Sequence, residues 1–503
     1  MGFQTENDRA APGKMTAPIM LHVEPRRPKK RKWIWRLMWA LLAVAGGAWG
    51  FWWWSDRQAL AARDALIAAA RARGEPVFWD EVADKLLRER DAGTGAELYL
   101  QALWALGGEL NPGGPKVVSA KWELAHQAER PVPAIRPELQ EELKLGKPAL
   151  ALLEKAVVRP PGLLTSALKT EDPISILLPH VQDGRNLARY LHWFSNDALA
   201  RGDVKGAYHA VWLTLGTSQQ LAVEPFLIAQ AVRFAIRGEA YSALKMCVEY
   251  ASPPEDEFRA TDRALATVDE TFGIERCWHA ERAMWMTILD NPAKLKEGLV
   301  NMGFRGGGND FEAFLRRRWT DIMLSPLGRP AMRRTQGALL RLSERIGPLL
   351  DRPNTDAAQR NAAFDDFEHE ASFQQSAIDV GDWGLRGINS FVQTCEKAHR
   401  RCIMARLMLR LRRFYDQHGK FPEKLEELCD AEMPKIRLDW FREQPIVYAP
   451  TKTGFRLEVP ESLLTQDEKR RKREQPDSTP EFVVKVEMKK LGSAPAGKAG
   501  KKE

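Results

Sequence analysis

Two Ser-x-x-Lys patterns and one Lys-Thr-Gly are the residues of this chain best spaced for chemistry: Ser166–Lys169, Ser242–Lys245 and Lys452–Gly454. A lysine one helical turn beyond a serine can take the hydroxyl proton as the oxygen attacks a carbonyl. A Lys-Thr-Gly strand would line the facing wall of such an acyl-transfer site. The set lacks its middle member, because no Ser-x-Asn lies between either pair and Lys452. Lys452–Gly454 also falls in a hairpin turn, where the chemistry needs a strand.

Metal and redox chemistry have fewer starting points. Asp365, Asp366, Glu368, His369 and Glu370 cluster on a predicted helix, and Asp365 and His369 are spaced to reach one ion. A structural site needs about four ligands, and no second cluster supplies the rest, so a solvated acidic face is expected. Glu275 and His279 read as a surface pair. H-E-x-x-H, G-x-S-x-G and the Walker A pattern are absent. The five cysteines, Cys247, Cys277, Cys395, Cys402 and Cys429, include no C-x-x-C. Cys395 and Cys402 on one helix would stand ~10.5 Å apart, too far to bridge. Buried free thiols are expected, with the disulfide state left open. No catalytic, cofactor-binding or metal-ligating residue is assigned, and no cofactor.

The elements around these residues begin with a basic cluster, Arg26, Arg27 and Lys29–Lys32, that runs into the mostly apolar stretch Trp33–Trp54. As a helix this stretch is ~33 Å long, enough to cross a bilayer core. Trp33, Trp35 and Trp39 mark one interface, and Trp49 and Trp52–Trp54 the other. Arg36 can reach back to headgroups along its stem. The positive-inside rule places the N-terminal arm in the cytoplasm and the remaining body outside it. The competing reading is a signal peptide cleaved after Ala43-Val44-Ala45; the long basic region and the continuation of the apolar run to Trp54 favour an uncleaved anchor.

The net charge of +8 does not describe the body. Residues 1–32 carry eight Lys/Arg against three Asp/Glu, Arg36 adds one positive charge, and 489–503 hold five Lys against one Glu, which leaves 37–488 at −2. The basicity therefore fits lipid headgroups and a solvated tail, and argues against nucleic acid as a partner.

Apolar periodicity predicts a mainly α protein: a transmembrane helix, an irregular antiparallel helical body, and a small antiparallel sheet of about three strands at the end. Asp56–Ala72 continues the anchor as an Ala-rich helix. Residues 107–136 read as loop. Helices follow from Arg185 to Ala200, from Asp203 after a Gly202 turn, from Pro225, and after Pro253-Pro254. Gly303–Gly308 is a break, and further helices are expected over 310–324, 329–350, 355–378 and 390–417. The Gly202 hairpin resembles a tetratricopeptide unit, without a sustained 34-residue period. In helix 390–417, Phe391, Cys395, Ala398, Cys402, Ala405 and Leu409 form a core-facing stripe, and the seven Lys/Arg are expected to be solvated. Gly419 is placed to cap this helix, Glu423–Cys429 to form a short helix, and Pro445–Ala449, Phe455–Val459 and Phe482–Met488 to form strands, with Thr451–Gly454 as a turn.

The boundaries that follow are 1–32 cytoplasmic arm, 33–54 transmembrane anchor, 55–175 helical and loop-rich region, 176–417 helical domain, 418–488 small α+β module and 489–503 disordered tail. FYDQHGKFPEKLEEL, followed by LDWFREQPIVYAPTKTGFRLEV, resembles a module of uncharacterised bacterial membrane-anchored proteins and the C-terminal half of type II pseudopilins. The matching residues are Tyr415, Gly419, Phe421, Pro422, Leu425, Leu428, Asp439, Phe441, Pro445, Tyr448, Gly454 and Phe455. Trp440 stands where proline is usual, and no Asp-rich ending follows. Gly74–Val82 and Ala96–Leu103 also resemble the uncharacterised group. The resemblance implies an architecture, and a single-pass protein of the bacterial inner membrane, without a known activity. The function expected is that of a noncatalytic membrane-anchored extracytoplasmic scaffold or partner-binding protein. A component of a secretion or pilus-like assembly and a cell-envelope hydrolase are the alternatives. The expected partners are the membrane and a protein, and the oligomeric state is open.

Overall fold

A computed structural model describes residues 32–89, 93–112, 137–166, 168–170, 173, 176, 178–267, 274–291, 325–350, 380–431, 433, 446–461, 464, 473 and 483–489. It divides into two units, Met1–Ser55 and Asp56–Glu503. The protein is mainly helical, with one long apolar N-terminal helix and a small three-stranded antiparallel sheet at the C-terminal end.

In the first unit, helix α1 (Lys32–Ala72) begins after the basic cluster. It is long and apolar enough to cross a membrane. Its large side chains face outward: Trp33 and Trp39 are each 66% exposed and Phe51 is 68% exposed.

The second unit opens with the rest of α1, whose Ile67 and Ala70 pack with Val77, Met286 and Leu340. The helices α2 (Trp79–Arg88), α3 (Ala96–Leu106), α4 (Pro137–Leu145) and α5 (Lys147–Val157) come next. They are followed by α6 (Pro179–Ala200), α7 (Val204–Gln220), α8 (Leu227–Tyr250), α9 (Glu255–Ala266) and α10 (Ile274–Asp290). Last come α11 (Arg329–Leu350) and α12 (Val380–His418).

The α6–α7 turn forms as its residues dictate. Gly202 takes φ +80°, the Asp203 amide bonds Ala198 O and the Gly202 amide bonds Leu199 O, a Schellman closure. Asp203 then accepts from the Gly206 amide at 2.9 Å, satisfying one orphan donor of α7. Pro225 falls outside its helix: Phe226 is the N-cap and α8 starts at Leu227. Helix α6 starts at Pro179, six residues before Arg185, because proline suits a first turn. Helix α12 starts ten residues before the expected 390. The helices expected over 310–324 and 355–378 lie outside the described residues, as do the Gly303–Gly308 break, most of the 107–136 loop and the tail beyond Lys489.

Helix α12 ends where Gly419 adopts φ +69° and its amide bonds Tyr415 O at 2.8 Å. The short helix after Pro422 is a 3₁₀ turn, Leu425–Leu428. The strands β1 (Val447–Pro450), β2 (Gly454–Glu458) and β3 (Val483–Glu487) form a meander in the order β1-β2-β3. Tyr448 pairs with Leu457, and Phe455 with Val486. Alternation sends Phe455, Leu457, Val484 and Val486 into the core and leaves Lys485 and Glu487 exposed. Those residues share one apolar cluster with Tyr208, Leu244 and Met408 of the helical body. A second cluster, around Trp79, Tyr99, Leu153 and Leu191, gathers α2, α3, α5 and α6.

Candidate functional site

The acyl-transfer motifs occupy three unrelated settings. Ser166 is exposed on the segment after α5, and Lys169 Nζ is 3.2 Å from Asp84. Ser242 lies on the exposed side of α8, where Lys245 Nζ is 3.8 Å from Glu249. Lys452 and Thr453 are exposed at the β1–β2 turn, closed by the Thr451 amide on Gly454 O at 2.8 Å. Each lysine of the Ser-x-x-Lys pairs is thus held by a carboxylate. The 365–370 cluster and the Glu275 side chain lie outside the described residues, and His279 is on α10. Among the described residues no group of three His, Cys, Asp or Glu is placed to hold an ion.

All five cysteines are free, four of them buried and Cys429 half-buried. Burial pushes the Cys247 thiol up to about 12, with the Ser195 hydroxyl opposing in part. That suppresses the thiolate needed for reactivity.

Sequence reasoning missed the interior ionic groups. The seven Lys/Arg of helix 390–417 were expected to be solvated, yet Arg400, Arg406 and Arg410 are buried. Arg406 donates from Nε and Nη2 to Oδ1 and Oδ2 of Asp262 at 2.8 and 2.9 Å. Arg410 grips the same carboxylate from Nε and Nη2 at 2.9 and 2.6 Å. Its Nη1 continues to Leu428 O and to Asp430 Oδ2. One fully buried carboxylate of α9 therefore ties α9 to α12, and Arg410 carries the link on to the 3₁₀ turn before the sheet. Burial works against its ionisation, but the two guanidiniums outweigh that and hold Asp262 below its ordinary range. The signal was readable only in part: Arg406 and Arg410 are four apart beside the Cys402–Ala405–Leu409 stripe, while Asp262 is 144 residues away from Arg406.

A second cluster closes the α7–α8 turn. Glu224 is fully buried. Its Oε1 accepts from the Leu164 and Thr165 amides at 2.7 and 3.1 Å, and its Oε2 from the Thr165 hydroxyl at 2.5 Å. His180 Nε2 stands 3.6 Å from Oε2. Burial raises this carboxyl, and the contacts with His180, Thr165 and Leu164 outweigh it and hold it low. A hydroxyl, an imidazole and a carboxylate meet here, with the acid in the middle. Nucleophilic catalysis needs the imidazole in the middle, as base to the hydroxyl, so this arrangement fixes Leu164 and Thr165 against the α7–α8 turn and does not activate Thr165. Gln230 Nε2 satisfies the carbonyls of Leu221, Ala222 and Glu224, and Arg233 donates to Gln230 and Gln219.

A third cluster ties the region after α1 to α10 and α11. Buried Arg282 donates to Glu75 at 2.6 Å, to Pro76 O at 2.7 Å and to the Ser343 hydroxyl. Ser343 also accepts from Trp278 Nε1 at 2.9 Å. Beside it on α10, Glu281 accepts the Leu227 amide at 3.3 Å, and burial pushes its carboxyl up to about 7. An open cleft of about 400 Å³ between α1, Phe78 and Asp290 is lined by Arg63 and Arg71. Arg63 is paired with Asp64 and Asp290, and Arg71 with Glu81.

The charged clusters among the described residues thus hold elements together, and the longest run of exposed large apolar side chains among those residues is in α1. No family model, no curated protein and no solved structure matches the chain.

Proposed function

We propose that the protein is a noncatalytic, membrane-anchored scaffold or partner-binding protein whose body lies outside the cytoplasm of a bacterial cell. The observation that carries this reading is the outward-facing apolar surface of α1, with Trp33, Trp39 and Phe51 about two-thirds exposed. In water that surface would be costly at ~25 cal/mol per Å²; in a bilayer it is the surface a span requires. The basic residues before it set the N-terminus in the cytoplasm. The interior ion clusters support a rigid tethered body, since each spends its polar groups on joining elements.

A component of a secretion or pilus-like assembly is the second reading. It is favoured by the capped α12, the 3₁₀ turn and the antiparallel meander, with Tyr448 Oη donating to Pro422 O at 3.0 Å. This is an analogy of architecture.

A reporter that is active only outside the cytoplasm, fused after Glu503, is expected to be active. Neutralising Arg26–Lys32 is expected to lower that activity. An inactive fusion of the unaltered chain overturns the topology. Covalent labelling of the purified protein by a fluorescent β-lactam, lost in Ser242→Ala, overturns the noncatalytic reading.

A further inference from the structure

Helix α6 lies inside the body, packed by α7 and α8, and none of its 22 residues is exposed. Over its first three turns, the half-buried residues after Pro179 are Gln182, Arg185, Asn186 and Arg189. Their spacing of three, one and three puts them on one face. Asp183, Leu187, Ala188 and Tyr190 to either side are buried. The stripe is therefore a recessed window, and its charge is carried by two guanidiniums about one helical turn apart.

Among the described residues, neither Arg185 nor Arg189 has a hydrogen bond or an ion pair. Other recessed arginines of the body differ: Arg63 holds Asp64 and Asp290, Arg282 holds Glu75, and Arg406 holds Asp262. The acids of α6 and of neighbouring α8 are engaged elsewhere. Asp183 accepts the Glu109 and Leu110 amides at 3.0 and 2.9 Å, Glu239 meets His192 at 3.0 Å, and Asp197 meets Arg201 at 2.9 Å. The Gln182 amide donates to Asn186 Oδ1 at 3.4 Å, which leaves the Asn186 amide hydrogens for a further acceptor. Like charges at this spacing repel, and partial burial removes water from them without supplying an acceptor.

We propose that Arg185, Arg189 and Asn186 form an anion site that takes a phosphate monoester. Side chains one turn apart start from Cβ atoms ~5–6 Å from each other, so both guanidiniums reach one tetrahedral group. A phosphate monoester brings close to two negative charges and three acceptor oxygens, which matches two cations and three donor groups. A lone carboxylate brings one charge and leaves one guanidinium unmatched. The site does not depend on the anchor, and it gives the noncatalytic body a ligand. Because α6 packs on both α7 and α8, occupancy stabilises the helical core by binding the folded state.

The test is calorimetric titration of the full-length, detergent-solubilised protein at constant ionic strength. Glycerol 3-phosphate and dihexanoyl phosphatidate, a soluble and a lipid source of the same group, are added separately. Saturable binding of either is expected, and the tighter of the two names the source. Binding of neither overturns the proposal, as does binding of poly-glutamate in place of both, which would make the window a docking site for acidic peptide. Arg185→Gln with Arg189→Gln is expected to weaken binding by about tenfold or more. Arg159→Gln with Arg263→Gln removes the same charge from two exposed positions and is expected to leave binding unchanged. Arg185→Lys with Arg189→Lys keeps the charge and loses the planar fork, and is expected to bind several-fold more weakly. The lysine pair decides the matter if circular dichroism shows that the glutamine pair does not fold. Unchanged affinity in the deciding pair overturns the site, and so does an equal loss in the Arg159 and Arg263 pair, which would make the effect one of net charge.

Discussion

The two units invert the usual relation between residue type and exposure, in opposite directions. Along Trp33–Trp54 the largest apolar side chains point outward, Phe51 at 68% exposure. In Asp56–Glu503, Arg237 and Arg282 and the carboxylates of Glu224 and Asp262 are fully buried. On the anchor reading proposed above, the difference follows from what each side chain meets. Apolar surface can face outward where the medium is hydrocarbon. A charge can be buried where opposite charges and hydrogen bonds hold it, and removing one partner is costly. Asp262, with four hydrogen bonds from two guanidiniums, is the clearest case.

Asp262→Ala is the substitution expected to do most damage. It strands two buried guanidiniums and detaches α9 from α12, a loss of roughly 3–5 kcal/mol. Urea unfolding of the solubilised protein measures it; a change under about 1 kcal/mol would mean that water replaces the carboxylate and that the interior is less dry than its geometry indicates.

Apolar burial in the body is tested by two aromatic residues close in sequence. Phe226 is buried and packs on Trp79 with ring centroids 5.6 Å apart, so Phe226→Ala is expected to cost about 3–5 kcal/mol. Trp212 is only partly buried and lies against His209 at 5.2 Å, so Trp212→Ala is expected to cost about half as much. Equal losses in thermal unfolding would reverse the assignment of helix faces around α7.

Glu281 sharpens the comparison through pH. Its folded value of about 7 lies above the ordinary 4.5, so the folded state binds its proton more tightly than the unfolded chain does. The stability that follows is fully present below pH ~4.5 and is lost as pH rises through about 7. Glu281→Gln is therefore expected to stabilise the protein at pH 8 by ~1–3 kcal/mol relative to its effect at pH 4. Asp262 has the opposite sign: held low, it contributes stability above the ordinary carboxylate value that is lost as pH falls through its folded value. Melting temperatures of the wild type and of Glu281→Gln across pH 4–8 separate the two; parallel curves would remove Glu281 from the account.

The smallest expected effect concerns backbone geometry. Gly419 has φ +69° with open space where a Cβ would stand. Gly419→Ala is expected to cost about 1 kcal/mol from conformation alone. A loss of several kcal/mol would point to a steric contact that the α12 cap does not show.

The amino-acid sequence alone determined the features that depend on neighbours along the chain. The apolar run of α1, the Gly202–Asp203 turn, the buried stripe of α12, the Gly419 cap and the three strands are each set by local periodicity, capping or φ preference, and all were legible. Helices α4 and α5 were less so, because residues 137–157 mix charged and apolar residues between proline-rich stretches without a clean period. Tertiary structure decided which charges go inside. Nothing near Glu224 in sequence reveals that its carboxylate meets amides some 60 residues earlier. Nothing near Asp262 reveals Arg406 and Arg410, 144 and 148 residues later. A charged residue on a helix reads as solvated by default, since burial is penalised unless a partner is present, and the partner is supplied only when distant segments pack together.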